Sequence, residues 1–370
     1  MAWLDCVRRA VGDLRAKVTD PNRSDSIDVD LILDIGNSRT TGIMVETSQA
    51  KKTDLNDSYL LELRDLSNPN KSYSDPFETR VEFVDVSFGN DLLSRRSGRR
   101  TPAFAWPSCV RVGPEATRLS TFANCAEGST GMSSPKRYLW DERKWTPSWR
   151  YNTHGASEPM VTRGLFPRQL NEDGTPLFCF ESAERNRWLN TPALRAQSGE
   201  PLFGSYFTRS SLMMFMVSEI IIQALVNTNS PANRAKRQLA DKPRRLKRVI
   251  FTVPTAMPVA ERRIFQRWVE LAVRLIWHGL GWDKGPQLRH LQPPRVLCEW
   301  DEASCSHLVL LYNEIMVKHL GNASQYFGLF GRLRPGADGR PHPSVRVASI
   351  DIGGGTTDLS ITTHVLTSQF

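Results

Sequence analysis

Two segments whose Asp residues stand at 34 and 351 repeat one pattern: an apolar run, an Asp, one residue, a Gly, small polar residues and a second apolar run. They are LILDIGNSRTTGIMV (31–45) and ASIDIGGGTTDLSI (348–361). An Asp at the end of a strand projects its carboxylate beyond the sheet. The small residues that follow let backbone N–H groups approach an anion closely, and Gly353, Gly354 and Gly355 carry no side chain to block a phosphate. Two such turns facing each other would clamp a polyphosphate, with Asp34 and Asp351 holding a hydrated Mg²⁺ that keeps several of its waters. One Asp-x-Gly turn alone is a common turn-capping arrangement. Two strand-flanked copies, one reading GGGTTD, are a much more specific signal.

These turns need strands to carry them. VDLILDIG (29–36) reads as a buried strand and TGIMVE (41–46) as its return, with SYLLELRDL (58–66) a third. Strands are expected at 79–88 and 108–113. The stretch 141–203 holds six Pro and three Trp and reads as loops and short hairpins, with Asp173-Gly174 as one turn. Residues 207–226 are apolar on nearly every face and predict a buried helix. RVIFTVP (248–254) predicts a strand, 259–277 a helix and RVLCE (295–299) a short strand. Asp301 can cap a helix running to about 320. Residues 328–344, dense in Gly and Pro, read as a loop, and 345–362 as strand–turn–strand. No internal repeat of solenoid period is present.

With 370 residues, 40% apolar and 24% charged, the chain can build about two domains, or one with a large insertion. Disordered, collagen-like and disulfide-stapled classes are excluded. The net charge of +9 is local: residues 231–248 hold eight basic residues and one acid, leaving 40 basic against 38 acidic elsewhere. That run reads as a solvated surface loop or as a site for an acidic partner. It lacks aromatic interleaving, so nucleic acid is not expected. Residues 3–18 predict an amphipathic helix with Trp3, Leu4, Val7, Val11, Leu14 and Val18 on one face, docked on the protein itself or a partner, or lying on a membrane surface. No transmembrane segment is expected, since 212–226 is interrupted by Ser218, Glu219 and Gln223. Six scattered Cys without a secretion signal predict reduced thiols in a cytoplasmic protein. Cys305 and His307, two apart on a helix, do not share a face and are not expected to bind metal.

Six segments, in family order, resemble the actin, sugar-kinase and heat-shock-chaperone superfamily. DIGNSRTTG resembles its first phosphate motif and DIGGGTTDLSI its second. VIFTVPTAMPVAERRIFQRWVELA (249–272), RTPAFAWPSCVRVGPEATRL (100–119), SPKRYLWDERKW (134–145) and DEASCSHLVLL (301–311) resemble chaperone segments between them. The PTAMP and CEWDEAS wording and the large insertion are most similar to the bacterial SrfB group of virulence factors. The resemblance implies an α/β, ribonuclease-H-like fold, with a mixed five-stranded sheet and ATP bound between two lobes. Lobe I would comprise 26–66 and 204–344, with an α+β outer subdomain inserted at 67–203 and an N-terminal arm at 1–25. Residues 345–370 would be the phosphate-2 hairpin, opening a second lobe whose remainder, with the adenosine motif, is expected in a longer parent chain. Residues 1–370 alone are therefore expected to bind ATP poorly, and the hairpin is expected to have no sheet to join.

Carried over by position, Asp34 and Asp351 are expected on the Mg²⁺ side. Gly36, Asn37, Ser38, Thr40, Gly353, Gly354, Gly355 and Thr356 are expected around the phosphates. Lys136 matches the chaperone catalytic Lys, able to stabilise charge on a γ-phosphate; its other reading is a solvated Lys. Glu302 matches the Glu that helps position the attacking water, with Glu299 near enough to take that part. Asp358 matches the last Asp of the second motif. Ala303 stands where chaperones have Pro, and Asn37 where they usually have Thr. The function implied is a Mg-ATP-dependent conformational switch acting on a protein partner. A small-molecule kinase of the same superfamily and a non-hydrolysing nucleotide-binding scaffold are the alternatives.

Overall fold

The computed structural model describes residues 26–47, 57–68, 70–84, 87–88, 104–123, 126–152, 160, 164–182, 205–283, 291–336 and 339–367. The expected amphipathic segment 3–18 lies outside them. Strands β1 (Ile27–Ile35), β2 (Arg39–Thr47) and β3 (Ser58–Leu60) come first, and the third expected strand is split, with β4 (Leu63–Arg64) after a break. Then follow β5 (Ser72–Tyr73), β6 (Phe77–Glu78), β7 (Arg80–Phe83), β8 (Ser87–Phe88), β9 (Phe104–Ala105), β10 (Val110–Val112), α1 (Gly113–Phe122) and β11 (Gly131–Ser133). The second half carries α2 (Leu212–Asn229), α3 (Pro231–Ala235), β12 (Arg244–Val253), α4 (Val259–Gly279), β13 (Arg295–Asp301) and α5 (Glu302–Tyr312). A π-helical turn (Asn313–Lys318), α6 (Ala323–Phe330), β14 (Arg332–Pro335), β15 (Pro341–Ile352) and β16 (Thr357–Val365) close it.

The fold is mixed α/β. Its main sheet runs β13-β12-β1-β2-β3, with β6 also on β2. β1, β12 and β13 are mutually parallel, and β2 is antiparallel to β1. β1 buries Val29, Leu31, Leu33 and Ile35 on alternate positions, a period that only a strand satisfies. The buried helix α2 packs against α4. By length and composition α2 could span a membrane, but 78% of it is buried inside this fold. The Asp173-Gly174 turn forms as expected: Gly174 has a φ of +93°, and its N–H donates to the Asn171 carbonyl at 3.2 Å.

Three expectations are corrected. The basic run is only partly a solvated loop, at 236–243. It contains α3 and enters β12, where its cations meet acids brought alongside by the parallel pairing with β1. Arg245 binds Asp28 at 2.5 Å, Lys247 binds Asp28 at 3.1 Å, and Arg248 pairs with Asp30. Arg244 is buried, pairs with Glu46 at 3.2 Å and donates to the carbonyls of Gln238, Leu239 and Lys242. Residues 328–344 are not all loop: the apolar stretch before Gly331 finishes α6 and β14 follows. The terminal hairpin does join a sheet, in the order β14-β15-β16, and rests on α5 and α6.

Glu219, in the middle of α2, is fully buried and accepts from the Trp106 indole at 2.8 Å and from Gln223 at 2.9 Å. Burial pushes its carboxyl above the ordinary range, opposed by Arg111. A raised native pKa gives stability that is fully present below the unfolded value and is lost as pH rises through the native one. Glu219→Gln should remove that loss. The variant is therefore expected to gain on the wild type in urea melts as pH climbs from the ordinary carboxylate range; a pH-independent difference would refute the assignment.

Candidate functional site

The first turn is set by the β1–β2 register, in which Ile35 faces Thr40, and is closed by the Gly36 N–H donating to the Arg39 carbonyl at 2.9 Å. Asp34 stands exposed at the end of β1, where the Thr252 hydroxyl on neighbouring β12 donates to its Oδ1 at 2.9 Å. The loop is held from behind. The Ser134 hydroxyl donates to the Asn37 carbonyl at 2.5 Å, and the Thr79 N–H to the Ser38 carbonyl at 3.0 Å.

The second turn, between β15 and β16, is closed by the Gly353 N–H donating to the Thr356 carbonyl at 2.9 Å. Its tip meets the first. A Cβ on Gly354 would collide with the Ser38 side chain. One on Gly355 would lie 2.9 Å from Asn37 Nδ2 and 2.5 Å from Arg137 Nη2. At Gly354 only glycine allows this approach. Arg137 Nη2 also donates to the Gly354 carbonyl at 3.2 Å. Asp351 and Asp358 are direct cross-strand partners, an arrangement that like charges disfavour unless a cation or solvent screens them.

Lys136 and Glu302 sit behind the tips. Lys136, on a short 3₁₀ turn (Pro135–Tyr138), is only 7% exposed, so the solvated reading fails. Its Nζ donates to the Ile35 carbonyl at 2.9 Å and lies 3.6 Å from Glu302 Oε1. Glu302 is the first residue of α5. The Asp301 side chain caps that helix, accepting from the Ser304 N–H at 2.8 Å and the Thr255 hydroxyl at 3.1 Å. Burial raises the Glu302 carboxyl; Lys136 opposes this, while the carboxylates of Asp34 and Asp351 push it higher still. Residues from both turns, the 3₁₀ turn and the start of α5 are therefore close enough to act on one another.

Not every expected residue takes part. Thr40 is fully buried, and its hydroxyl shares a 2.8 Å hydrogen bond with Thr79, so it holds the loop's support and does not face the cleft. Glu299 is exposed on β13, and the carboxylate beside Lys136 belongs to Glu302. Thr356 and Asp358 touch each other at 3.4 Å. His307 is buried under the hairpin, with Nε2 3.0 Å from the Ser349 hydroxyl. Among the described residues no three His, Cys, Asp or Glu side chains are grouped to hold a metal directly. The sequence does not mark Arg137, Thr252 or Ser134. Each acts on a partner at least 97 positions away, so no local pattern marks it.

A family model for the virulence factor SrfB matches residues 3–369. The chain belongs to the SrfB family. Both turns of this SrfB chain, with Lys136 and Glu302, fall inside the match. Comparison with curated proteins gives no match.

Proposed function

We propose that this SrfB-family chain carries the phosphate-binding half of an actin/chaperone-type ATPase cleft and acts as a Mg-ATP-dependent conformational switch on a protein partner. The reading rests on one observation: the glycine tip of the second turn packs on the first turn, beside the buried Lys136–Glu302 pair. The sheet order β13-β12-β1-β2-β3, with β2 alone antiparallel to a parallel core, supports a ribonuclease-H-like lobe.

The donor set suits a hydrated divalent cation. Asp34, Glu302, Asp351 and Asp358 outnumber Lys136 and Arg137, and two of the carboxylates already disturb a third. Asp34 and Asp351 would hold Mg²⁺ through its waters, and the bound ion would neutralise charge on the phosphates. Lys136, fixed by the Ile35 carbonyl, offers an ammonium to the γ-phosphate oxygens. Glu302, once deprotonated, can accept a hydrogen bond from an attacking water and orient it. Backbone N–H groups of the small residues 37–38 and 354–356 line the approach.

The face of β15–β16 turned from α5 exposes Ile350, Ile352, Leu359 and Ile361, each more than 60% accessible. So much contiguous apolar area suits coverage by a further lobe or a partner. Nucleotide-driven movement of the hairpin would then be felt there.

The test is release of phosphate from γ-labelled ATP with Mg²⁺ by the full-length natural protein. Asp34→Asn and Asp351→Asn should each lower it by about 100-fold or more. Full turnover in both variants would remove the site. Label appearing on a small acceptor would favour a kinase, and binding without release a scaffold.

A further inference from the structure

The 3₁₀ turn that sends Lys136 into the cleft presents its next residue to a second cavity. This basin of about 450 Å³ is lined by Arg137, Trp140, Arg143, Lys144, Trp145 and Arg209, together with Tyr138 and Asp141. It has four cations against one acid. The acid is already committed: Asp141 accepts from Arg209 Nε at 2.6 Å. Lys144 pairs with Glu172. Arg137 donates only to a neutral carbonyl, that of Gly354, and among the described residues no acid pairs with Arg143. The Arg143 guanidinium therefore lines the basin with no charge to balance it.

The walls are built rigidly. The Arg209 guanidinium lies 4.7 Å from the Tyr138 ring centroid and 4.9 Å from that of Trp145, between the two rings. Trp145 stacks on Trp149 at 5.5 Å and 20°, and its indole N–H donates to the Gly128 carbonyl at 2.7 Å. Trp140, by contrast, leaves 56% of its surface in water at the rim. An exposed indole in the same basin as an unbalanced guanidinium offers a flat apolar face near a forked donor that matches phosphate. The volume is that of a small-molecule site.

We propose that this basin is a second binding site, separate from the ATP cleft, for a phosphate monoester carried on an aromatic ring. Arg143 takes the phosphate and Trp140 stacks on the ring, while Arg137 keeps its guanidinium on the Gly354 carbonyl at the cleft. Its proof does not depend on the cleft reading.

Phenyl phosphate, titrated calorimetrically into the full chain, is the probe. Arg143→Ala and Trp140→Ala change exposed side chains, so the fold should persist and circular dichroism should be unchanged. Each is expected to weaken binding by roughly tenfold, the loss of one charge-assisted or stacking contact. Asp34→Asn should leave the affinity within about twofold, and saturating Mg-ATP should not displace the probe, which separates this site from the cleft. Unaltered affinity in both basin variants would overturn the proposal, as would no binding at about 10 mM probe, a concentration weaker than any specific small-molecule site. Inorganic phosphate binding as tightly as phenyl phosphate would eliminate the aromatic ligand class. Binding of an acidic peptide at the basin without binding of phenyl phosphate would assign the basin to a protein partner and refute the small-ligand site.

Discussion

Lys136→Met should cut phosphate release from Mg-ATP by about 10²–10³-fold while leaving the protein folded, since Met fills nearly the same buried space. The argument is electrostatic. The ammonium lies in a nearly water-free position, 2.9 Å from the Ile35 carbonyl and 3.6 Å from Glu302, where a fixed charge acts more strongly than in water. Its removal has a second consequence. Glu302 loses the cation that lowers its pKa and keeps Asp34 and Asp351, which raise it. The carboxyl must be ionised to hold a water, so activity should appear as pH rises through its pKa, and that limb should move to higher pH in the variant. A variant with wild-type rate and an unmoved acid limb would show that Lys136 is only a structural ammonium. Lys136→Arg is the control for charge: it restores the cation but not the compact point-charge geometry, so partial recovery is expected.

How much of this cleft the sequence announces depends on how local each feature is. The two Asp-x-Gly turns were legible because strand alternation and turn chemistry are contained within about a dozen residues. The Asp301 cap was legible for the same reason: a capping carboxylate reaches only three residues on, to the Ser304 N–H. Lys136 was placed by resemblance alone, since its own surroundings read equally well as a solvated basic stretch. Its burial comes from the carbonyl of Ile35, 101 positions away.

The errors follow the same rule. Thr40 and Thr41 are adjacent in a polar run, but successive residues of β2 face opposite ways, and the register that puts Ile35 opposite Thr40 turns that hydroxyl toward Thr79. The basic run looked solvated because its acids, Asp28 and Asp30, lie more than 200 positions away and arrive only when β12 pairs with β1. Residues 328–344 looked like loop by Gly and Pro content, yet α6 buries Tyr326 and Phe327 just before that stretch, and β14 uses Pro335 at a sheet edge where its missing N–H does no harm. Helix α1 was missed because only Gly113, Glu115 and Ala116 are buried along it, too few to set a helical period.

The segment before α2 carries a structural duty that its loop-like composition conceals, and Trp149→Ala should expose it. Trp149 is fully buried outside any helix or strand. It packs on Phe83 of β7 at 5.1 Å and on Trp145 at 5.5 Å, and its indole N–H donates to the Phe207 carbonyl at 2.6 Å. Phe83 in turn meets Phe207 and, edge-on, Phe215 of α2. One ring thus ties the expected insertion to the buried helix under the main sheet. Truncation removes the largest fully buried side chain among the described residues and strands the Phe207 carbonyl without its donor. The expected loss is about 3–5 kcal/mol, read as a lowered urea midpoint with an unchanged slope. Trp149→Phe keeps most of the volume but not the donor, and should fall between the two. A loss below about 1 kcal/mol for Trp149→Ala would mean that the insertion folds independently of α2, and the aromatic tie would have to be abandoned.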